Sequence, residues 1–530
     1  MTDTQSPTAA DPTIRSGYTV DIRFPSSFGA YQAPAHMAWA TATLDRPMSP
    51  VDGPFTYCDL GCGNGMTLNV IATSYPEASF YGVDINPGHI AEGRSLAERG
   101  GLRNVTFVEA SFADLQTQDL PQFDYITIAG IYSWLSGDMR AAITRFLESH
   151  LKPGGYVYIH FAALPGSMNS DALYTFIQAV AERVQGGSVP RFTKGVEVAQ
   201  SLAGVGALFF RANTVAQRHL EHIVSVDKQG MAHEVLNSRI HSLYHFEVRR
   251  ELAKAGLDFV GHANHERNYP ELSMARELTP PLEAIAAEFG RDSALYETAS
   301  DFVLQSSVRF EIYRKAGGEE RAGFEAAEGL FLHRFTDGDE GIQRQKMTAR
   351  TGIDFLTPPI GTVLKIVGRR SIAIRDVFGH PALEKFDRAA IRKAIEKIVA
   401  TNLANVLLRP APETVYEPGL SYRFISPLNA IALEEHVLSP DPIPFASPVI
   451  GTRLLLPRID RVRLLAILGG NLGPVWKKFL DEKTKVTGPK GEPVTSFEDF
   501  RDTIQASLPD FAKQAIPELL RLGILEPVES

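Results

Sequence analysis

Residues 55–65 read Phe-Thr-Tyr-Cys-Asp-Leu-Gly-Cys-Gly-Asn-Gly, and this stretch decides the fold. Its first half favours a β-strand, and helix-like sequence continues from the last glycine to Ser74. The glycines let the backbone adopt dihedral angles that are closed to other residues and approach a ligand closely. The stretch therefore predicts a strand, a glycine turn and a helix, with a ligand lying against the turn.

The same alternation of strand and helix continues along the chain. A mostly helical stretch from about residue 165 to 245 interrupts it, after which the alternation resumes. This pattern predicts an α/β fold with a doubly wound, Rossmann-like sheet of about seven strands and an insertion beyond its carboxyl edge, where ligands bind. The further predicted strands are 78–83, 105–108, 125–128, 156–160, 257–261 and 308–313, and the helices are 87–99, 137–151 and 246–255, with Pro153-Gly-Gly155 stopping the second helix.

The chain length of 530 residues exceeds what one hydrophobic core serves, which predicts two or three domains. We predict a lid or helical segment at 1–45, the α/β domain at 46–315 with its helical insertion at about 165–245, and a helix-rich α+β domain at 322–530. The charged, glycine-containing run 315–321 is the predicted linker.

The last predicted domain has few distinctive signals. Helix patterns cover 383–407, and a closing helix begins near Ser496, whose spacing to Asp499 resembles a capping box. A turn at 487–491 precedes that helix. We predict a winged-helix-like unit at the carboxyl end.

Composition excludes several classes of function. The 62 acidic and 53 basic residues give a net charge of -9, which repels phosphate backbones and argues against a nucleic-acid partner. No apolar run is long enough for a membrane span, and residues 1–15 lack a signal-peptide core, so we expect a cytoplasmic protein. With only Cys58 and Cys62 there is no disulfide framework, and a zinc site would lack two of its four ligands; we predict no metal.

The glycine motif has the form acidic-x-Gly-x-Gly-x-Gly. A dinucleotide fingerprint would require a third glycine where Met66 stands, and no phosphate-binding G-x-x-x-x-G-K pattern occurs. Asp59 at the strand end would oppose a pyrophosphate but suits a cationic amino-acid ligand. Asp84 closes the next predicted strand, where a carboxylate can accept both hydroxyls of a ribose. The alternative role for Asp84 is to cap the helix that begins at Pro87.

Ser111 and Phe112 follow the third predicted strand, where they could meet an adenine by a hydrogen bond and by stacking. The alternative is an ordinary polar loop with a core phenylalanine. Near the amino terminus, Phe28, Tyr31 and Trp39 could cover the ligand as a lid, or they could pack the leading helix.

This layout resembles the class I S-adenosylmethionine-dependent methyltransferases. A narrower resemblance, over roughly residues 18–315, is to bacterial methyltransferases with a methyltransferase regulatory domain, which include lysine methyltransferases of rickettsial outer-membrane proteins. The segments that carry it are Gly130-Ile-Tyr-Ser-Trp134, Leu164-Pro-Gly166, His233-Glu-x-x-Asn237, and Asp301-Phe302 to Arg309-Phe310.

The resemblance implies S-adenosylmethionine as the cofactor and transfer of methyl groups to lysine side chains of a protein. Two alternatives stay open: a small-molecule methyltransferase, and a non-catalytic subunit that binds S-adenosylmethionine. Whether the chain forms a homodimer is also open. The predicted cofactor-binding residues are Tyr31, Asp59, Gly61, Cys62, Gly63, Asp84, Ile85, Ser111, Phe112 and Gly130.

Four residues are candidates for catalysis. Tyr132 and Trp134 follow the fourth predicted strand, and an aromatic wall there can hold an alkylammonium by cation–π contact. The alternative is an aromatic pair that supports the loop. His233 and Glu234 are candidates for the base and the substrate anchor, against the alternative of capping and surface residues on an exposed helix.

Overall fold

The computed structural model describes residues 14–15, 18–19, 21–22, 28–237, 241–318, 323–335, 353–368, 370–439, 442–482 and 492–528. Its centre is a seven-stranded sheet in the order β3-β2-β1-β4-β5-β7-β6, in which β7 runs antiparallel to both of its neighbours. This confirms the predicted doubly wound α/β fold. The strands are β1 Thr56–Leu60, β2 Ser79–Asp84, β3 Val105–Glu109, β4 Phe123–Ile128, β5 Leu151–Ala162, β6 Leu257–His262 and β7 Val308–Lys315.

Thirteen helices accompany the described part of the chain up to β7, and several begin at the caps that the sequence provides. Asn86 accepts a hydrogen bond from Gly88 N ahead of Pro87, and Ser136 accepts one from Met139 N. The helices are α1 Pro34–Thr43, α2 Met66–Ser74, α3 Pro87–Arg99, α4 Gly137–His150, α5 Met168–Ala181, α6 Ser188–Gly204, α7 Leu208–Ala212, α8 Thr214–Ser225, α9 Lys228–Val235, α10 His245–Ala253, α11 Pro270–Ser273, α12 Thr279–Phe289 and α13 Ala294–Leu304.

The Pro153-Gly-Gly155 segment does not stop α4, contrary to the sequence prediction. Helix α4 ends at His150, and β5 already begins at Leu151, which pairs with Phe123. The next paired residues are Tyr125 and Tyr156, so the proline and glycines form a bulge inside the strand. A bulge tolerates proline because the extra residues leave the hydrogen-bonding ladder.

Helices α5 to α9 form the predicted insertion between β5 and β6 and enclose a hydrophobic core of their own. The connection from β6 to β7 also carries helices, α11 to α13, which the sequence analysis did not assign. Ser293 caps α13 by accepting a hydrogen bond from Tyr296 N. Both connections therefore build helical layers beside the sheet.

Strand β7 carries a buried ion cluster on one face. Arg309 pairs with Glu297 and Asp301 at 2.6 Å each, and also with Glu311. His245 Nδ1 lies 2.7 Å from Glu311 Oε1. Burial alone would raise the pKa of Glu311, but His245 and Arg309 outweigh it and lower that pKa to about 2. The cluster therefore fastens β7 to α10 and α13.

The carboxyl-terminal part consists of small antiparallel sheets and helices. The predicted helix pattern at 383–407 is only partly helical. The helix Arg388–Ala400 ends before Asn402, which takes a positive φ of 57°, and the strand Asn405–Leu407 follows. The elements are α14 Gly323–Ala327, β8 Phe331–His333, α15 Ile360–Ile366, β9 Ile372–Ala373, α16 Ile374–Phe378, α17 Arg388–Ala400, β10 Asn405–Leu407, β11 Tyr422–Phe424, α18 Pro427–His436, β12 Ile443–Ser447, β13 Thr452–Leu456, α19 Arg458–Ile467, α20 Gly473–Asp481, α21 Phe497–Arg521 and β14 Leu525–Pro527.

The predicted closing helix is confirmed, since Ser496 caps α21 by accepting a hydrogen bond from Asp499 N at 3.0 Å. The predicted turn at 487–491 and positions 319–321 of the predicted linker lie outside the described residues. The winged-helix-like unit stays a prediction. Among the described residues, no helix combines the length and apolar character that a bilayer span requires.

The carboxyl-terminal part packs directly on the sheet domain. Leu428 and Ala446 are buried together with Val70 of α2 and Leu96 of α3. Ser74 Oγ at the end of α2 donates to Thr452 O of the β12–β13 hairpin at 3.2 Å. The hairpin therefore lies beside the helix that follows the glycine turn.

Candidate active site

A cavity of about 700 Å³ lies at the carboxyl ends of β1, β4 and β5. Its volume is in the range of pockets that bind cofactors and small ligands, and its position is the usual ligand site of an open α/β sheet. Four parts of the chain form its walls: the amino-terminal segment, the glycine turn, the ends of the central strands, and the carboxyl-terminal part.

The glycine turn forms the floor of the cavity. Gly61, Gly63 and Gly65 have positive φ angles of 78°, 54° and 74°, which other residues rarely adopt. A Cβ atom on Gly61 would lie 2.8 Å from Ile131 Cδ1. Of the predicted cofactor residues in this turn, Gly61, Cys62 and Gly63 all line the cavity.

Asp59 lines the cavity just before the turn. Thr127 Oγ1 donates to its Oδ1 at 2.8 Å. Burial raises the pKa of Asp59 to about 7, an effect that the Thr127 hydrogen bond partly offsets. A cation placed beside this carboxyl would favour its ionised form.

Asp84 holds the glycine turn rather than lining the cavity. Its Oδ2 accepts a hydrogen bond from Gly63 N at 2.9 Å, and its Oδ1 accepts one from Asn86 N at 2.8 Å. A carboxylate offers about four lone-pair sites, so these two bonds leave capacity for further donors. Tyr18 lies next to it, and burial together with Asp84 raises the pKa of the Tyr18 hydroxyl.

Three other predicted cofactor residues lie off the cavity wall. Ser111 Oγ accepts from Ala113 N at 3.1 Å and caps a short 3₁₀ helix, Phe112–Thr117. The Phe112 ring packs against the core of the sheet, and half-buried Ile85 follows Asp84. Their contacts with an adenine stay predictions.

Aromatic rings form part of the cavity lining. Tyr31 and His160 both contact Phe310, with ring centroids 5.0 and 4.5 Å apart. Tyr158 lies two residues before His160 on β5 and faces the same cavity. We call Tyr31, Tyr158, His160 and Phe310 the aromatic wall.

The two histidines at this end carry no charge at neutral pH. Burial lowers the pKa of His160 to about 4 and that of His36 to about 4. His36 Nε2 lies 2.5 Å from Ala263 O, and its ring stacks on His265 at 4.0 Å. Gly130 leaves space beside His160, since a Cβ atom on Gly130 would lie 3.6 Å from His160 Nδ1.

The structure separates the two predicted aromatic catalytic residues. Trp134 lines the cavity, as do Gly130 and Tyr31. Tyr132 is fully buried away from the cavity, and its hydroxyl donates to Glu251 Oε2 at 2.6 Å. Because Glu251 is also paired with Arg140, Tyr132 supports the loop, which was the alternative interpretation.

His233 and Glu234 also lie off the cavity wall. His233 is fully buried, with its ring edge against Tyr18 at 5.0 Å, and burial lowers its pKa to about 4. Glu234 accepts a hydrogen bond from Tyr174 inside the insertion. These positions do not support a role for His233 and Glu234 as base and substrate anchor. The alternative interpretation, a surface residue on an exposed helix, is wrong for His233 because that residue is buried.

The other members of the His233-Glu-x-x-Asn237 motif and the predicted lid have defined places. Asn237 Oδ1 accepts a hydrogen bond from Thr19 N at 3.0 Å and so holds the segment that carries Tyr18. Phe28 and Tyr31 line the cavity, whereas Trp39 is buried against Phe324.

Sequence reasoning missed most of the aromatic wall and the whole contribution of the carboxyl-terminal part. Alternation along β5 could have indicated Tyr158 and His160, because residues two apart share a face at the ligand-binding strand end. The carboxyl-terminal lining has no local signal, since it is distant in sequence from the glycine turn. That lining consists of Phe335, Asn402, Asn405, Ile450, Thr452 and Arg453.

Family models match two segments of the chain. Residues 53–195 match the model described as a methyltransferase domain, and residues 227–315 match a predicted methyltransferase regulatory domain. The chain carries a methyltransferase domain. This domain is of the S-adenosylmethionine-dependent kind, with S-adenosylmethionine as its cofactor. The two matches confirm the family resemblance drawn from the sequence motifs.

The chain matches its relatives over only part of their lengths. An uncharacterised protein of Synechocystis sp. is 32% identical over 302 residues, which are 57% of this chain and 58% of that protein. A trans-aconitate 2-methyltransferase of Methylobacterium nodulans is 33% identical over 106 residues, which are 20% of this chain and 38% of that enzyme. The chain therefore spans less than two thirds of either relative.

One solved structure shares the fold over nearly the whole chain. PKMT2 from Rickettsia typhi, in complex with AdoHcy, superposes with a TM-score of 0.66 over 95% of this chain and 99% of that chain, at 15% identity. The likeness confirms the fold of the methyltransferase domain together with a helix-rich carboxyl-terminal region.

The cavity fits the cofactor of the methyltransferase domain. The glycine turn lets a ligand lie against the backbone, because side chains are absent at Gly61 and Gly63. Asp59 offers a buried carboxyl to an ammonium group. A buried carboxyl and the backbone of the glycine turn are therefore available to a ligand that carries an ammonium group.

Proposed function

We propose that the protein is a lysine methyltransferase that acts on a protein substrate. The aromatic wall of the cavity carries this proposal, because rings and uncharged imidazoles suit an alkylammonium side chain. S-adenosylmethionine, when bound, supplies an electrophilic methyl group. The chain must then position the lysine, exclude water and leave the amine without its proton.

On the cofactor side, Asp59 binds the ammonium of the amino-acid end and the glycine turn supports it through the backbone. Asp84 binds the ribose hydroxyls with the lone pairs that Gly63 N and Asn86 N leave free. This assignment requires Tyr18, which lies beside Asp84, to leave room for a sugar. Gly130 lies between the two ends of the cavity.

On the acceptor side, the aromatic wall receives the lysine. The faces of Tyr31, Tyr158 and Phe310 attract a cation through their quadrupoles, and the attraction grows where water is excluded. Trp134 also lines the cavity, with its ring against His233. A serine or threonine hydroxyl would gain nothing from such a wall.

Exclusion of water from the cavity lowers the proton affinity of the bound amine and opposes the cation–π attraction of the rings. An ordinary lysine has a pKa of about 10.4, and transfer into a water-poor site lowers that pKa because the charged form loses its hydration. His160 is uncharged at neutral pH because its own pKa is about 4, so its Nδ1 can accept a hydrogen bond from the amine. The reactive free amine therefore forms in the cavity itself.

A protein substrate agrees with the extent of structure around the cavity. The carboxyl-terminal part lines the cavity, and the insertion reaches two of its lining residues, Tyr18 and Trp134, through His233. This is more surface than a small acceptor requires. The shared fold with PKMT2 of Rickettsia typhi supports the same class of substrate.

The proposal is tested by incubating the full chain with radiolabelled S-adenosylmethionine and a bacterial cell-envelope extract. We expect label in protein bands, and methylated lysines in their tryptic peptides by mass spectrometry. The matched control is the same extract after acetylation of its lysines with acetic anhydride, which should abolish the label. Persistent labelling after acetylation would overturn lysine as the acceptor.

The other outcomes separate the remaining alternatives. Label confined to the organic-soluble fraction would identify a small-molecule methyltransferase. Tight cofactor binding without any transfer would identify a non-catalytic subunit.

A further inference from the structure

The β12–β13 hairpin of the carboxyl-terminal part brings an arginine to the cofactor cavity. Arg453, paired with Ala446 across the hairpin, lines the cavity. Its guanidinium lies over the ring of Phe28, with Cζ 4.9 Å from the ring centroid. The neighbouring Thr452 O accepts the hydrogen bond from Ser74 Oγ, which fixes the hairpin to α2.

The charge of Arg453 is not balanced by the described part of the protein. Its Nε is buried and has no hydrogen-bond partner among the described residues. Burial lowers the pKa of Arg453, against a smaller opposite effect of Tyr31. Burying the Nε of a guanidinium without a partner is costly, so an acidic ligand in the cavity would stabilise Arg453.

The cavity contains one charge of each sign. Among the described residues that line it, Arg453 is the one lysine or arginine and Asp59 the one aspartate or glutamate. The amino-acid end of S-adenosylmethionine carries both an ammonium and a carboxylate. A guanidinium presents a planar set of N–H donors that matches a carboxylate with two parallel hydrogen bonds.

We propose that Arg453 binds the carboxylate of S-adenosylmethionine while Asp59 binds its ammonium. This inference rests on the cofactor part of the proposed function. It makes the carboxyl-terminal part a wall of the cofactor site rather than a substrate-binding addition alone. A cofactor that fills the site would also strengthen the contact between the hairpin and α2.

Isothermal titration calorimetry of the full chain, without any acceptor, tests the inference. The probes are S-adenosylmethionine and decarboxylated S-adenosylmethionine, which differ only in the carboxylate. A charge-assisted pair of hydrogen bonds predicts a preference of roughly 10- to 100-fold for the intact cofactor. Equal affinities of the unaltered protein for the two compounds would overturn the inference.

The variant Arg453→Met should lose that preference by weakening only the intact cofactor. Its unchanged affinity for the decarboxylated compound shows at the same time that the site is folded. A variant that still prefers the intact cofactor by the original factor would overturn the inference. Arg453→Lys, which keeps the charge but loses the planar donor set, should retain a few-fold preference.

Arg423→Met is the matched control. Arg423 lies on β11 in the same carboxyl-terminal part, exposed and paired with Glu526, and its variant should keep the full preference. These measurements need no methyl transfer. A chain that prefers the intact cofactor but labels no lysine would contradict the proposed acceptor and leave the role of Arg453 supported.

Discussion

The two faces of strand β7 differ in whether the charged side chains beside them are paired with one another. On one face, Arg309 and Glu311 belong to a cluster whose charges are paired with one another. On the other face, Phe310 belongs to the aromatic wall, and the only charged side chains of the described cavity lining are Asp59 and Arg453. The paired charges stabilise the fold, whereas the charged side chains of Asp59 and Arg453 are the ones that we propose bind the cofactor.

The segment around β7 contains residues of both faces. Asp301 and Arg309 meet in the ion cluster, and Phe310 lies between two cluster residues in the chain but lines the cavity. Strand alternation places these two kinds of residue next to each other. Substitutions in this short segment can therefore affect either the ion cluster or the cavity.

The largest expected effect comes from breaking the ion cluster. Arg309→Met leaves Glu297, Asp301 and Glu311 without their shared cation, and should lower the free energy of unfolding by about 3–5 kcal/mol. Urea unfolding followed by circular dichroism measures it. Arg423→Met, at an exposed arginine paired with Glu526, is the control and should cost less than about 1 kcal/mol. Equal losses in the two variants would show that the cluster has no special weight.

On the cavity side, Asp84→Asn should have the next largest effect. Losing a charged acceptor for the ribose and for Gly63 N should weaken S-adenosylmethionine binding by about 2–3 kcal/mol, measured by calorimetry. Asp114→Asn, an exposed acid on the neighbouring 3₁₀ helix, is the control. Unchanged affinity in Asp84→Asn would remove Asp84 from the cofactor site.

Phe310→Leu tests the aromatic wall while leaving the ion cluster intact. Loss of a ring face should lower kcat/KM for a lysine acceptor by about 5- to 30-fold, since cation–π contacts in desolvated sites contribute roughly 1–2 kcal/mol. The dissociation constant of the cofactor should stay the same. Phe302→Leu, at a side chain that is 61% exposed, is the control and should change neither quantity.

The smallest expected effect is a pH dependence of cofactor binding. Burial raises the pKa of Asp59 from its usual value of 3.8 to about 7, so the folded protein keeps this proton at pH 6 and loses it above neutrality. In the ligand-free protein the raised pKa of Asp59 lowers the free energy of unfolding as pH rises from about 4 to 7. The reason is that the unfolded chain has already released this proton.

An ammonium ligand reverses that cost by stabilising the carboxylate. Affinity for S-adenosylmethionine should therefore rise by up to about tenfold between pH 6 and 7.5. Calorimetry at those two pH values measures the change, and Asp59→Asn should show a flat profile. A rise that persists in Asp59→Asn would assign it to another group.

The sequence was sufficient to predict the sheet and the cofactor turn because their signals are local. Gly61, Gly63 and Asp59 lie within a few residues of each other, and the strand that precedes them has a clear pattern. The bulge at Pro153-Gly-Gly155 was misinterpreted because proline and glycine end helices as readily as they enter bulges. Only the register with Phe123 distinguishes the two cases.

Much of the cavity lining could not be predicted because its residues come from separate segments. Phe310 and Arg453 reach the cavity through tertiary packing, and neither has a neighbour in the sequence that indicates this position. Tyr132 was predicted to lie in the site because it follows β4. Its hydroxyl instead donates to Glu251, away from the cavity.

The short segment around Tyr18 contacts both the helical insertion and the sheet domain. Thr19 N is bound by Asn237 at the end of α9, and the adjoining Tyr18 ring lies beside Asp84. Asp21 in the same segment accepts hydrogen bonds from Ser188 N and Oγ at the start of α6. A shift of the insertion relative to the sheet would therefore move the tyrosine away from the acid that holds the glycine turn.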